Sequence, residues 1–351
     1  MADLQNQCSF RENRLSQENI MPRIGVNPSR GKKIEIKPAR TTVAVLVHAP
    51  HDAGYFQHRL DVTRLTLESI LENTKEPFDL LVFDNGSCEE IVQYLESLHS
   101  KGLVDYLILS KNNIGKINAL NIIFNVAPGE IVAYTDDDVF HLPGWLSEHL
   151  RIIDTFPNVG AVTGFYIKQR VAMSSDSTVA FAQYYGVETQ CGQLIPRKWE
   201  EEYIQNTGRT WEVYQSEVEG IEDMIVEYQG LEAWVSAHHF QMVCPKKVIQ
   251  DLLAQMLPNG WSNQLMGRMV EMDDLMDSLG YLRLCTRDQT VRFLGNAISE
   301  EMADLADQSG ISVMPVNNGF RGGSLMKKIA QIKWIRYLMQ GIVNRIYKWL
   351  N

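Results

Sequence analysis

From Thr41 onward the chain alternates between two hydrophobic rhythms. TTVAVLVHA (41–49) is a β-branched apolar run of the kind that forms a strand buried on both faces. Residues 60–73 then place Leu60, Leu65, Leu67, Ile70 and Leu71 mostly on one helical face. FDLLVFDNGS (78–87) predicts a second buried strand ending in a turn, and residues 89–99 predict a helix. LVDYLILS (103–110) reads as a third strand and IGKINALNIIFNVA (114–127) as a helix. EIVAYT (130–135), WLSEHLRIID (145–154) and VGAVTGF (159–165) continue as strand, helix and strand. This alternation predicts the α/β class, with a Rossmann-like, mostly parallel sheet flanked by helices. Ligands of such sheets bind at the carboxyl ends of the strands. The residues to inspect are therefore His48 with Pro50, Asp84 with Asn85, Asn112 with Asn113, and Asp136, Asp137 and Asp138.

The rhythm fades after about residue 170. Residues 199–234 carry ten Asp/Glu against one Arg, interleaved with Trp199, Tyr203, Trp211, Tyr214, Tyr228 and Trp234. That segment reads as an insertion whose aromatics pack down, or as a lid over an acceptor. AWVSAHHFQMVCP (233–245) reads as one strand, and residues 262–280 as a helix closed by Gly280. YLRLCT and TVRFLG predict two more short strands. Residues 1–40 are polar, with Pro22, Pro28 and Pro38, and read as an N-terminal arm.

Charge is distributed unevenly. Residues 1–40 hold eight Lys/Arg and four Asp/Glu, residues 41–307 hold 18 and 39, and residues 308–351 hold seven and none. An acidic body excludes duplex nucleic acid as a partner, because phosphate binding needs a continuous basic surface. It suits a protein that meets an anionic ligand through a cation. The five cysteines are scattered without a CxxC pair, and the N-terminal residues contain no apolar stretch of signal-peptide type. No apolar run reaches the ~18 residues of a spanning helix. The expectation is a reducing, cytoplasmic setting.

Asp136-Asp137-Asp138 is the strongest single feature. Three carboxylates at a strand end repel one another unless a cation is present. Hard divalent ions such as Mg²⁺ or Mn²⁺ take oxygen ligands and bridge phosphates. Taken alone, the triplet fits a solvated turn ahead of Pro143 equally well.

The order of motifs adds context. A strand ending in DNGS, then NIGKINALN, then GEIVAYTDDDV resembles the GT-A glycosyltransferases of the inverting family 2 type. The matching positions are Asp84, then Asn113, Gly115, Lys116, Ala119 and Asn121, then Gly129, Glu130, Asp136 and Asp138. The resemblance is close over 41–165 and loose beyond. It implies a GT-A fold and a nucleotide-diphosphate-sugar donor, with a uridine nucleotide favoured. His48, Pro50, Asp84 and Asn85 would hold base and ribose. Asn113 and Lys116 would lie near the nucleotide or its phosphates. Asp136 and Asp138 would contact the ribose and a Mn²⁺ or Mg²⁺ ion, with Asp137 as a neighbouring sugar contact. Residues 41–165 would then form the nucleotide-sugar-binding half and 166–300 the acceptor-binding, catalytic half.

An inverting transfer needs a base for the acceptor hydroxyl. The string Glu271-Met-Asp273-Asp274, followed by Gly280-Tyr281, resembles the family's base-bearing helix, and it leaves Asp273 and Asp274 as alternatives beside Glu271. Trp234, His238 and His239 are the acceptor-side candidates, and strand alternation would let only one of the two histidines face the site. One departure is plain: Phe293 stands where relatives of this type place a metal-binding His.

Residues 301–351 form a basic tail. Lys327, Lys328, Lys333, Arg336, Arg345 and Lys348 interleave with Trp334, Tyr337, Tyr347 and Trp349, which predicts a terminal amphipathic helix. It would seat a peripheral protein on the anionic inner face of the plasma membrane, where a lipid-linked acceptor would lie; docking of the tail on the acidic body or a dimer contact are the alternatives, and the acceptor is a glycan or a lipid-linked one. Two other readings compete with the enzyme. One is a non-catalytic GT-A-like scaffold. The other is a sugar-phosphate nucleotidyltransferase, disfavoured because HAPHDAGYFQHR replaces the Gly-rich basic loop expected after the first strand.

Overall fold

The computed structural model describes residues 25–316 with the exception of Ser174. The chain divides into a unit Met1–Lys37 and a unit Pro38–Asn351. The described part of the first is exposed and irregular apart from a turn in which the Asn27 carbonyl accepts from the Arg30 N–H. The basic tail from Ser324 onward lies outside the described residues.

In the second unit the predicted rhythm is present. β1 (Thr41–Val47), α1 (Arg59–Asn73), β2 (Phe78–Asn85), α2 (Glu89–Ser100), β3 (Tyr106–Ser110), α3 (Lys116–Val126) and β4 (Ile131–Asp136) alternate strand with helix. A short β5 (Val139–His141), α4 (Trp145–Thr155) and β6 (Val159–Thr163) follow. The later region contains α5 (Asp176–Tyr185), β7 (Glu188–Gly192), α6 (Arg197–Thr207), α7 (Trp211–Val218) and β8 (Asp223–Tyr228). It continues through β9 (Leu231–Val235), β10 (Gln241–Pro245), α8 (Lys246–Met256), α9 (Met269–Ser278), β11 (Leu282–Thr286), β12 (Val291–Phe293) and α10 (Glu300–Gln308).

Ten strands form one sheet in the order β3-β2-β1-β4-β10-β6-β11-β9-β8-β7, and β12 pairs with β5 apart from it. The four strands β3, β2, β1 and β4 are mutually parallel, as their helical crossovers require. Only β10, β9 and β7 run against the common direction, so the sheet is mostly parallel. Alternation along the strands builds two cores. Ala44, Leu46, Leu81, Phe83, Val132 and Tyr134 meet α3, α8 and α9 on one face. Val43, Val45, Val47, Leu80 and Val82 meet α1, α2 and α4 on the other.

Two sequence expectations change here. The run 233–245 is not one strand. β9 pairs with β8 and β11, whereas β10 inserts antiparallel between β4 and β6. Residues 236–240 must leave the ladder to carry the chain between these places. The helix expected over 262–280 starts only at Met269. Ahead of it, Ser262 exchanges two hydrogen bonds with the buried Asn118 of α3, at 2.8 Å each, which holds the preceding loop against that helix. None of the described helices is long and apolar enough to cross a membrane.

Candidate active site

The carboxyl ends of β1, β2 and β4 and the segment after β3 bring the donor-side candidates together. His48 follows β1 and its Nδ1 lies 2.9 Å from the Asn85 carbonyl. Its Nε2 lies 3.1 Å from Asn113 Nδ2. Asn85 donates to Asn113 Oδ1 at 3.0 Å and accepts from the Ile114 N–H at 2.9 Å. Three separate chain segments are thus joined side chain to side chain. The approach depends on Gly86, whose φ is +79°. A Cβ there would stand 2.6 Å from the Asn113 nitrogen. Asp84 is buried and accepts from the Gly86 and Ser87 N–H groups, so its carboxylate shapes the turn. Pro50 is exposed in the loop after β1.

Lys116 opens α3 and reaches β4, where its Nζ lies 2.7 Å from both Asp136 oxygens. The Tyr134 hydroxyl donates to the same carboxylate. Gly115, at φ +82°, lets the loop carbonyls of Gln264 and Leu265 approach; the latter accepts from the Lys116 N–H at 3.1 Å. Asn121, matched to the family motif, contacts only Asn125 of its own helix. Asn118 of the same helix bonds instead to Ser262 in the loop ahead of α9.

The acidic triplet separates into different environments. Asp137 is 2% exposed and is clamped by Arg59 Nε and Nη2, with Thr63 donating to the same carboxylate. Its carbonyl accepts from Thr66 at 3.0 Å. Such a group cannot turn toward a sugar, so the expected donor contact at Asp137 is replaced by a structural ion pair. Arg59 also reaches Asp138 through Nη1 at 3.1 Å. Burial pushes the Asp138 carboxyl up to about 6, opposed by Arg59 and reinforced by the neighbouring Asp137 and Asp136 charges.

The Asp136 and Asp138 side chains keep 24% and 20% of their surface exposed. They offer hard oxygen ligands from one strand end. Among the described residues no group of three or more His, Cys, Asp or Glu could hold a metal. The pair therefore suits the Mg²⁺ or Mn²⁺ mode in which one or two carboxylates act together with substrate phosphates and water. Phe293 fills the place of the expected histidine. It pairs with Val139 in the small sheet and packs on Phe240 at 3.8 Å between ring centres. The next residue, Leu294, donates to the Asp138 carbonyl at 2.9 Å. A cavity of about 480 Å³ opens beside this strand, lined among others by Lys198, Glu202, Arg292 and Phe293.

The acceptor-side candidates are not equivalent. Trp234 is fully buried, stacks near Tyr166 and donates to the Arg287 carbonyl at 2.9 Å. It belongs to the core, which removes it as a sugar platform. His238 is 2% exposed, with Nε2 at 2.8 Å from the Phe165 carbonyl and its ring stacked on Phe240. Burial depresses its protonation, and it faces no open space. Neither histidine sits in a strand, so the alternation argument does not apply. His239 reaches the partly exposed side, with Nδ1 at 3.1 Å from Asp273 Oδ2.

Helix α9 spreads its acids around its circumference. Glu271 is exposed and pairs with Arg268. Asp273 is 3% exposed and lies 3.1 Å from Arg283 and 3.7 Å from Arg170. Asp274 is exposed. Asp277 accepts from the Asp176 and Ser177 N–H groups at the start of α5. Arg59, Arg170 and Arg283 were not found from sequence. Each is a lone arginine without a motif; Arg59 and Arg170 find their acids far along the chain, and Arg283 reaches Asp273 only through the pairing of β11 beside α9.

Residues 56–204 match the model of the family described as Glycosyl transferase family 2. The match contains every donor-side candidate from Asp84 to Asp138, and it bears out the resemblance carried by DNGS, NIGKINALN and GEIVAYTDDDV. A Haemophilus influenzae protein named as an uncharacterized glycosyltransferase is 24% identical over 119 residues, which span 34% of this chain and 36% of that protein. The chain thus aligns with about a third of that curated relative. Among solved structures, the mannosyltransferase PcManGT of Pyrobaculum calidifontis, in complex with GDP-Man and Mn²⁺, is 23% identical, with a TM-score of 0.30. That alignment covers 42% of this chain and 44% of that one. GalNAc-T7 with UDP, GalNAc and Mn²⁺ is 13% identical over 78% of this chain and 47% of that one, with a TM-score of 0.44.

Proposed function

We propose that this chain is a metal-dependent, inverting glycosyltransferase that moves a sugar from a nucleotide-diphosphate donor, a uridine nucleotide being favoured, to a hydroxyl of a glycan or lipid-linked acceptor. The observation that carries the reading is one juxtaposition. The linked His48–Asn85–Asn113 group stands at the carboxyl ends of the parallel strands where the partly buried Asp136 and Asp138 emerge, with Lys116 bridging from α3. The family match over 56–204 supports it.

In this reading residues 41–165 bind the donor and 166–300 the acceptor. Asp136 and Asp138 hold the Mn²⁺ or Mg²⁺, which supplies Lewis-acid stabilisation of charge on the departing diphosphate. His48, Asn85 and Asn113 orient the nucleoside through groups whose positions their mutual hydrogen bonds already fix. Lys116, paired with Asp136, offers a cation that would stabilise the negative charge of the diphosphate. The acceptor oxygen bonds to the anomeric carbon while the bond from that carbon to the diphosphate oxygen breaks. The electron pair leaves with the nucleotide.

Calorimetric titration of UDP, GDP and dTDP, each with and without Mn²⁺, tests this. One nucleotide should bind in a metal-dependent way, and Asp138→Ala should weaken it by ~100-fold or more, the scale of losing a charge-stabilising ligand. Binding that ignores both the metal and Asp138 would defeat the reading. Phe293 in the expected histidine position favours the second reading, a binding or scaffold protein of the same fold. Metal-dependent nucleotide binding without any sugar transfer would select it.

A further inference from the structure

We infer that the group that takes the acceptor proton is the imidazole of His239, held by Asp273, rather than the Asp273 carboxylate itself. This rests on the transferase reading above. Asp273 has the right helix but the wrong exposure: its side chain keeps 5% of its surface, against 21% for His239. Its oxygens are engaged by Arg283 at 3.1 Å, by Arg170 at 3.7 Å and by His239 Nδ1 at 3.1 Å. Arg283 is itself fixed by the carbonyls of Met173 and Ala237, so Asp273 has no freedom to swing outward.

A carboxylate only accepts hydrogen bonds. The neutral imidazole therefore donates from Nδ1, which leaves the lone pair on Nε2. Among the described residues Nε2 has no hydrogen-bond partner. The backbone carries His239 close to the strand end that bears Asp136. The carbonyl of Phe240, the next residue, accepts from the Asp136 N–H at 2.8 Å. The chain leaves β9 for β10 across 236–240, so the residue beside that contact is carried to the end of β4.

The step balances without a further reactant. The acceptor O–H proton passes to His239 Nε2, and the acceptor oxygen bonds to the anomeric carbon. The carbon–diphosphate bond breaks, and its electron pair stays with the nucleotide. The imidazolium that results sits against Asp273, as the base of a His–Asp pair requires, and returns its proton to solvent. Asp273 is a positioning residue that fixes tautomer and orientation. The charged group in contact with His239 is Asp273 from α9, which Arg170 from the turn at 168–170 and Arg283 from β11 also reach; the adjacent His238 is kept neutral by burial.

The test uses the full chain with Mn²⁺ and water as acceptor, following nucleotide release from UDP-GlcNAc, UDP-glucose and GDP-mannose. His239→Gln should lower kcat by about 10²- to 10⁴-fold with KM and metal-dependent nucleotide binding unchanged, and added imidazole should restore part of the rate to His239→Gly. Independently of turnover, ¹⁵N imidazole spectra should show His239 protonated at Nδ1 and bare at Nε2, and the pattern should change in Asp273→Asn. A wild-type chain that binds no nucleotide and releases none defeats the transferase reading, and the base with it. Undiminished turnover in His239→Gln overturns the base alone. So does an Nε2–H tautomer, or loss of turnover in Asp274→Asn while His239→Gln stays active.

Discussion

The molecule contains two clusters of carboxylates that look alike in sequence and differ in structure. Asp136 to Asp138 close a strand; Glu271 to Asp277 run along a helix. At the strand end the acids stay together, and each is matched by a cation from another element: Lys116 for Asp136, which Tyr134 of its own strand also supports, Arg59 with Thr63 for Asp137, and Arg59 for Asp138. On the helix a rotation of about 100° per residue sends the acids to different neighbours. Asp273 turns inward to Arg283 and His239, Asp277 receives the start of α5, and Glu271 meets only Arg268. A strand end concentrates charge at one point, where it must be balanced locally. A helix disperses it, and only the inward acid becomes part of a built network.

The first consequence is unequal dependence on a single arginine. Arg59 is the shared counter-ion of two acids, and its side chain is 11% exposed. Arg59→Ala would leave Asp137 buried without its charge partner. Breaking such a pair costs roughly 3–5 kcal/mol. Urea unfolding should show that loss, and a variant within ~1 kcal/mol of wild type would mean that the triplet is a solvated turn after all.

The next effect is on acid stability, and it belongs to the strand-end region. His141 closes β5, three residues after Asp138, and His149 lies in α4; both are fully buried. Burial holds their protonation down to about 3 and about 4. Among the described residues the ring nitrogens of His141 have no hydrogen-bond partner, and the ring rests on Trp145 at 4.5 Å. Both imidazoles are neutral in each state above their unfolded pKa of about 6.5. As pH falls through that value the unfolded chain binds protons first, so stability is lost between pH ~6.5 and the depressed native values. The slope approaches about 1.4 kcal/mol per pH unit for each imidazole. His141→Phe keeps the packing and removes one of the two, so its stability should fall less between pH 6.5 and 4.5. Equal slopes in urea titrations would show that His141 is not an acid trigger.

The sequence made one of these clusters much more legible than the other. The strands β1, β2 and β4 are apolar on both faces, and each ends in polar residues at a point that the parallel topology makes common. A parallel sheet was enough to bring His48, Asn85, Asn113 and Asp136 to one edge, and the family resemblance added Lys116. The later half lacks that constraint. Residues 233–245 carry one continuous strand pattern, yet β9 and β10 part because each pairs with a different neighbour, and strand periodicity does not encode partners. Trp234 illustrates the loss: an aromatic in an acidic segment looks like a sugar platform until its pairing places it in the core. The arginines were legible in neither cluster. Arg59 lies 78 residues from Asp137, and nothing local distinguishes it from a surface arginine.

The smallest expected effect sharpens the contrast from the helical side. Arg268 and Glu271 are paired at 2.9 Å, but Glu271 keeps 59% of its side chain exposed. An exposed pair of this kind contributes about 0–1 kcal/mol. Arg268 also stands at φ +63°, a left-handed conformation that costs a residue with a Cβ roughly 1–2 kcal/mol relative to the right-handed region. The two terms separate in a pair of variants. Arg268→Ala gives up the ion pair and keeps the strain, so it should lose ~1 kcal/mol or less. Arg268→Gly gives up the same pair but relieves the strain, so it should match wild type or exceed it, standing about 1 kcal/mol above the alanine variant in urea unfolding. A loss of more than ~2 kcal/mol in Arg268→Ala would mean that the outward acids of α9 are balanced as tightly as those of the strand end, and the contrast between the clusters would fail.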